Sequence, residues 1–165
     1  MIVGILSDTH GHLERTQAAC SLIQAHNPEV IVHCGDIGAE GVLIELATAF
    51  DPQSIPVYAV LGNVDVYDPS LISFPDTTCV RVQEWTDFEI GNQRAAVIHG
   101  HDSRVYENAI TSNAYAYVFT GHTHIRKDEK VGNTRVINPG AVYRAAIPGC
   151  AVLNTNSEKL TYLNL

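Results

Sequence analysis

Apolar runs that stop abruptly at polar residues are the dominant pattern along this chain. Ile2–Leu6 is such a run, of strand length and without polar alternation, and it reads as a strand buried on both faces. Residues 12–26 then place Leu13, Ala18, Ala19, Leu22, Ile23 and Ala25 at amphipathic helix spacing, and Asn27-Pro28 closes the helix. Val30-Ile31-Val32 is the next strand, residues 40–50 a second helix ended by Asp51-Pro52, and Ile55–Leu61 a third strand. Strand–helix–strand units of about 30 residues predict a parallel sheet with right-handed crossovers.

The second half changes rhythm. Thr78–Glu84 and Asp87–Ile90 read as strands, and Gly91-Asn92 is a hairpin-type turn into a strand over Arg94–His99. Residues 103–113 read as a helix and Val118-Phe119 as a short strand. Lys127–Val131 and Thr134–Asn138 flank Gly132-Asn133, and Cys150–Leu153 and Leu160–Leu165 flank an Asn-Thr-Asn-Ser turn, giving two more hairpins. A parallel half followed by a hairpin-rich half predicts two packed sheets with helices outside. No segment reads as a linker, so residues 1–165 are expected to form a single domain.

Composition narrows the partners. Ten basic against 18 acidic residues give a net charge of −8, which argues against a nucleic-acid coat or an anionic-membrane binder. An anionic substrate stays compatible, because bound metal inverts local charge. No apolar run approaches the ~20 residues of a membrane helix, and the N-terminus meets Asp8 without a basic region. Cys20, Cys34, Cys79 and Cys150 are scattered, with no paired spacing. Free thiols and a cytoplasmic location are therefore expected.

The chemistry sits where strands end. The first strand runs into Ser7-Asp8-Thr9-His10, the second into His33-Cys34-Gly35-Asp36, the third into Gly62-Asn63-Val64-Asp65. The strand after Gly91-Asn92 ends in His99-Gly100-His101, and the Val118 strand in Gly121-His122-Thr123-His124. Ligands of parallel α/β sheets bind at the carboxyl ends of strands. Asp8 and His10 are two residues apart, as are His122 and His124, which in extended backbone puts each pair on one side. Oxygen and imidazole donors without thiolate suit manganese, iron, zinc, cobalt or nickel. Asp8, His10, Asp36, Asn63, His99, His122 and His124 are too many for one tetrahedral zinc. They suit two ions about 3.5–4 Å apart, with Asp36, midway in the set, as the natural bridge. Two divalent ions, two carboxylates and one hydroxide leave roughly +1, which attracts an anionic ester. A metal-bridging hydroxide is then the expected nucleophile for in-line attack on phosphorus.

The series Asp8-x-His10, Gly35-Asp36, Gly62-Asn63, His99-Gly100-His101 and Gly121-His122-Thr123-His124, followed by Asn138-Pro139-Gly140, resembles the calcineurin-like metallophosphoesterases. The closer resemblance is to their small, cap-less prokaryotic phosphodiesterase branch. It implies a four-layer α/β sandwich of two mixed sheets flanked by helices. It further implies that Asp8, His10 and His124 hold one metal, Asn63, His99 and His122 the other, and that Asp36 is shared. Two divalent ions are thus the expected cofactors, with manganese first and iron, zinc, nickel or cobalt as alternatives. Asp36, Asn63, His99 and His101 are the expected catalytic groups.

One position departs from the family pattern. Many members carry a histidine after Gly-Asn that protonates the leaving group, and this chain has Val64 there. General acid help is worth about 10²–10⁴-fold, so esters with good leaving groups, such as aryl phosphodiesters, are the expected substrates. His12 or His101 is the expected substitute acid. Asp65 reads as a structural acceptor, His33 as packing or turn structure, Cys34 as core packing, Trp85 as a core or interface residue, and Arg144 as surface-solvated in preference to touching phosphate. The expected partner is a small phosphate ester, with a homodimer or homotetramer compatible with exposed hairpin edges. The alternative function is a protein-interaction scaffold on the same fold, like the retromer subunit, and the intact donor set argues against it. No G-x-S-x-G or G-x-x-x-x-G-K-[ST] motif supports a serine hydrolase or NTPase.

Overall fold

Period-two alternation in the strands sorts their side chains between two apolar layers. The computed structural model describes residues 1–75 and 78–165. In chain order it contains β1 (Ile2–Leu6), α1 (Leu13–Gln24), β2 (Val30–His33), α2 (Glu40–Phe50), β3 (Val57–Val60), α3 (Pro69–Ile72) and β4 (Val80–Gln83). There follow β5 (Thr86–Ile90), β6 (Gln93–Val97), α4 (Ser103–Thr111), β7 (Tyr117–Phe119), β8 (Lys127–Val131), β9 (Thr134–Asn138), β10 (Gly149–Asn154) and β11 (Lys159–Asn164). One sheet has the order β11-β10-β1-β2-β3-β4 and the other β5-β6-β7-β9-β8.

Both sheets are mixed. The β1-β2-β3-β4 run is parallel, while β10 pairs antiparallel with β1, and β11 with β10. In the second sheet β6, β7 and β9 are parallel, flanked by the antiparallel edges β5 and β8. The hairpins at Gly91-Asn92 and Gly132-Asn133 therefore cap a parallel centre. The last hairpin crosses back to the first sheet, where Ile2–Ile5 pair with Asn154–Ala151. The short α3 was not legible from periodicity, because four residues make about one turn. Its signal is local: Asp68 accepts from the Ser70 N–H, and Pro69 stands at the first helical position.

Val3 and Ile5 of β1, Val30 and Val32 of β2, Ala95 and Val97 of β6, and Phe119 of β7 fill the layer between the sheets. The alternate positions face outward. Leu6 and Ile31 pack with Ala19, Ile23, Leu43 and Leu46 of α1 and α2, and Ala96, Ile98 and Val118 pack with Ala109 of α4. Each sheet is thus covered by helix on one face and by the other sheet on the second. Gly4 lets α1 settle close on β1, since a Cβ there would stand 2.4 Å from Ile23 Cγ2. This is the four-layer α/β arrangement, and it brings the carboxyl ends of β1, β2 and β3 to one rim with those of β6 and β7.

Candidate metal centre

The loops at this rim are curled. Asp8, His10, Asp36, His122 and His124 all have φ between 46° and 67°, a left-handed conformation that costs non-glycine residues energy and clusters at functional sites. The two-residue spacing therefore works differently from the extended geometry expected for it. Successive left-handed residues, not a flat strand, bring Asp8 with His10 and His122 with His124 to one side. The curled loops are held by backbone bonds between neighbours: Asp8 N–H donates to Gly35 O at 2.9 Å and His10 N–H to Asp36 O at 2.9 Å. Glycine is required where they touch. A Cβ on Gly62 would stand 2.1 Å from Asp36 Oδ1, and one on Gly121 2.0 Å from Ser7 Oγ.

Donor atoms of Asp8, His10, Asp36 and His124 lie within 4.8 Å of one another. Their protonation is constrained by what lies behind them. His124 Nδ1 donates to the carbonyl of Arg144 at 3.1 Å, and a carbonyl only accepts, so in the neutral ring Nε2 presents a lone pair. That lone pair faces Asp8 Oδ1 at 3.2 Å and His10 Nε2 at 3.3 Å. Asp8 Oδ1 is buried and receives no hydrogen bond, while its partner oxygen accepts from Ser7 Oγ at 2.6 Å. Acceptors turned toward one another in a buried place are what a bound cation reconciles.

The other half repeats the device. His99 Nδ1 donates to Cys34 O at 2.8 Å, leaving its Nε2 lone pair 3.2 Å from Asp36 Oδ1 and 3.2 Å from Asn63 Oδ1. The His122 ring lies 5.1 Å from that of His99. Asp36 faces both halves, with Oδ2 3.8 Å from His10 Nε2 and Oδ1 toward His99. Burial opposes charge on Asp8, His10 and His99. It pushes the Asp8 carboxyl up to about 6 against the lowering bond from Ser7, and brings the His99 imidazole down to about 4 against the pull of Asp36. It also lowers His10, with Asp36 acting in the opposite direction. Neutral imidazoles are the form that ligates a metal, and a cation would return Asp8 to its carboxylate.

The profile of the calcineurin-like phosphoesterase superfamily domain matches residues 1–158. A phosphodiesterase of Methanocaldococcus jannaschii is 32% identical over 163 residues, 96% of each chain. This chain belongs to the calcineurin-like phosphoesterase superfamily. Its membership makes it a metal-dependent phosphoester hydrolase and implies divalent metal ions, for which the rim supplies the donors. The solved structure of an archaeal phosphodiesterase superposes over all of both chains with a TM-score of 0.83 and 31% identity. Vps29 of Entamoeba histolytica covers 97% of this chain and 89% of its own at a TM-score of 0.62, but at 17% identity that likeness shows the fold alone.

Around this phosphoesterase rim the remaining histidines separate by role. His101 is exposed beside the centre, its ring 5.4 Å from that of His99 and 6.4 Å from that of His122. His12 is the N-cap of α1, accepting from the Arg15 N–H at 3.4 Å, with its ring against Tyr143. His33 is a buried strut: its Nδ1 accepts from Gly35 N–H and its Nε2 meets Thr9 Oγ1 at 3.0 Å, and burial lowers it to about 3. Asp65 is a structural acceptor, receiving the N–H groups of Ile37, Gly38 and Gly62 at 2.8–2.9 Å.

For several residues named from the sequence, the role was not read there. Arg144 acts through its carbonyl on His124. Ser7 anchors Asp8. Asn138 donates to Gly121 O at 2.7 Å and accepts from Gly140 N–H at 2.8 Å, tying the Asn138-Pro139-Gly140 loop to the His122–His124 turn. A polar residue next to a nominated donor was the available signal for Ser7. A backbone carbonyl has no signature in sequence. Trp85, expected in the core or at an interface, is 50% exposed beside this rim, which leaves out the core.

Proposed function

We propose that this chain is a dinuclear metal-dependent phosphodiesterase. The observation that carries the reading is the double set of facing acceptors, each with its imidazole fixed from behind by a backbone carbonyl. Asp8, His10 and His124 would hold one ion and Asn63, His99 and His122 the other, with Asp36 shared through its two oxygens. Manganese is the proposed metal, with iron, zinc, nickel or cobalt fitting the same donors. When bound, the ions supply Lewis acidity: they make water acidic enough to attack phosphorus in line near neutral pH and offset charge on the phosphoryl oxygens.

The chain's own residues set the geometry. Ser7 holds one oxygen of Asp8 so that the other faces the centre. Cys34 and Arg144 fix the ring planes and tautomers of His99 and His124 through their carbonyls, as outer-shell partners of metal-binding histidines do. Asp65 locks the loop carrying Asp36 to the loop carrying Asn63. His101 stands on the open side, where it would contact the leaving-group oxygen that Val64 cannot reach with a donor. The protein's −8 charge and the diesterase resemblance favour a small phosphate diester over a nucleic acid. A scaffold role on this fold has only the Vps29 likeness behind it, and the complete donor set gives a scaffold no use.

Metal analysis with hydrolysis of bis(p-nitrophenyl) phosphate tests the reading. The wild type is expected to carry close to two divalent ions per chain and to lose activity on chelation. Asp36→Asn and His99→Ala are each expected to lose about a hundredfold or more, since even outer-shell changes cost about 10–100-fold. Hydrolysis without metal, or full activity in both variants, would remove the enzyme reading; a single tightly held ion in a fully active protein would remove the dinuclear one.

A further inference from the structure

An open groove leads away from the metal centre along the outer face of the second sheet. Its first section, about 210 Å³, begins at His99 and His101. A second section, about 350 Å³, continues past Ala109 to Tyr115. The two share Trp85, Ile98 and Val105 as walls, so they form one trough between the β4–β5 connection and α4. Its volume falls in the range of small-molecule sites, about 300–1,000 Å³.

The walls are specific in character. Trp85, the chain's only tryptophan, is 50% exposed and Val105 is 37% exposed on the opposite side. Ile98 forms the floor at 3% exposure. Tyr106 is held near the entrance by Lys127, whose Nζ lies 3.0 Å from its hydroxyl. Among the described residues lining the trough there is no lysine or arginine, while Glu84 and Asp102 are present. Asp102 is committed to capping α4, accepting from the Arg104 and Val105 N–H groups. The cations at its two ends, Lys127 beside Tyr106 and Arg94 over the Tyr115 ring, are already paired with Glu129 and Asp87, so a second phosphate or carboxylate in the trough would meet Glu84 and Asp102 with no uncommitted cation among the lining residues. A planar ring between an exposed indole and an isopropyl group would bury apolar surface and stack.

We propose that the trough binds one uncharged, planar aromatic arm of the phosphodiester substrate, seated between Trp85 and Val105. The proposal rests on the phosphodiesterase reading of the adjoining centre. It concerns recognition of the ring, and is separate from how easily the ring departs as a leaving group. Continuity decides the occupant: the trough opens on His99, so an arm lying in it is attached to a phosphate at the centre. Diesters with an aromatic arm should therefore bind more tightly than dialkyl or polyphosphate esters of the same charge at the reacting phosphorus.

Trp85 reports on its own site. Metal-loaded protein is titrated with diphenyl phosphate and with dimethyl phosphate while tryptophan emission is recorded. The phenyl ester is expected to perturb the emission saturably and the methyl ester to leave it unchanged. Val105→Glu, an exposed helix position outside the metal centre, is expected to abolish that response. The same variant should raise KM for bis(p-nitrophenyl) phosphate about tenfold, with kcat within about twofold and metal content unchanged. Trp85→Ala should raise KM in the same direction. Equal response to the two esters, or an unchanged KM in a folded, metal-loaded Val105→Glu protein, would overturn the proposal. A change in oligomeric state in Val105→Glu with the titration intact would also overturn it, by assigning the face to a second copy of the chain. Absence of metal-dependent hydrolysis in the wild type would defeat the phosphodiesterase reading, and the emission titration would still decide whether the trough selects aromatic esters.

Discussion

Asp65 receives three backbone N–H groups from two different loops, so its removal strands three donors at once. Asp65→Ala is expected to cost about 2–4 kcal/mol, because a buried donor left without an acceptor loses about 1–3 kcal/mol and neighbouring losses do not add fully. Asp65→Asn keeps one accepting oxygen and should cost less. Denaturant midpoints of the two variants check this, and equal midpoints for wild type and Asp65→Ala would contradict it. At this scale the candidate cluster of Asp8, His10, Asp36 and His124 was legible. Asp8, Asp36, Asn63, His99, His122 and His124 each lie just past a strand, and the abrupt stops of the apolar runs located the strand ends. What could not be read was conformation. Nothing in the residue types announces that Asp8, His10, Asp36, His122 and His124 are left-handed, because that strain is imposed by contacts between loops distant in the chain. The carbonyl partners Cys34 and Arg144 were hidden for a related reason: any residue type supplies a carbonyl.

Elements were legible where their signal is repeated. Apolar runs and turn residues placed the eleven strands of the described residues within a few positions, and the turns at Gly91-Asn92, Gly132-Asn133 and residues 154–157 marked three hairpins. Pairing across the chain was not legible. That β10 lies beside β1, and that β9 reaches β7 in parallel, depends on which faces are left uncovered once α1, α2 and α4 have docked. The docking of α1 is demanding at Gly4, where a methyl group would stand 2.4 Å from Ile23 Cγ2 and 2.7 Å from Ile31 Cδ1. Gly4→Ala is expected to destabilise the fold by about 1–3 kcal/mol through overpacking. Its activity per folded molecule should be retained, since Gly4 lies on the helix side of β1. Thermal unfolding with an activity assay at low temperature separates the two effects. A variant as stable as wild type would show that α1 can slide outward at little cost.

For the whole molecule, acidic charge is high yet the centre needs anions to approach. The proposed donor set would resolve this by holding cations at the rim, and metal should then also act as a folding ligand. A cation present at a hundred times its dissociation constant adds about 2.7 kcal/mol, which for a chain of this size raises Tm by about 5–10 °C. Chelation is therefore expected to lower Tm by that amount and manganese to restore it. A stripped protein with an unchanged Tm would mean that the donors are poised without metal and that the facing acceptors carry no penalty.

In the proposed centre, sharing of the Asp36 carboxylate would have a mechanical meaning as well. Asp8, His10, Asp36 and Asn63 hang from the first sheet, whereas His99, His122 and His124 hang from the second. Between the sheets lies a greasy, non-directional interior that resists separation but offers little grip against sliding. Cations spanning that boundary would rivet one wall to the other, so slippage by even a fraction of a bond length would spoil coordination while every strand stayed intact.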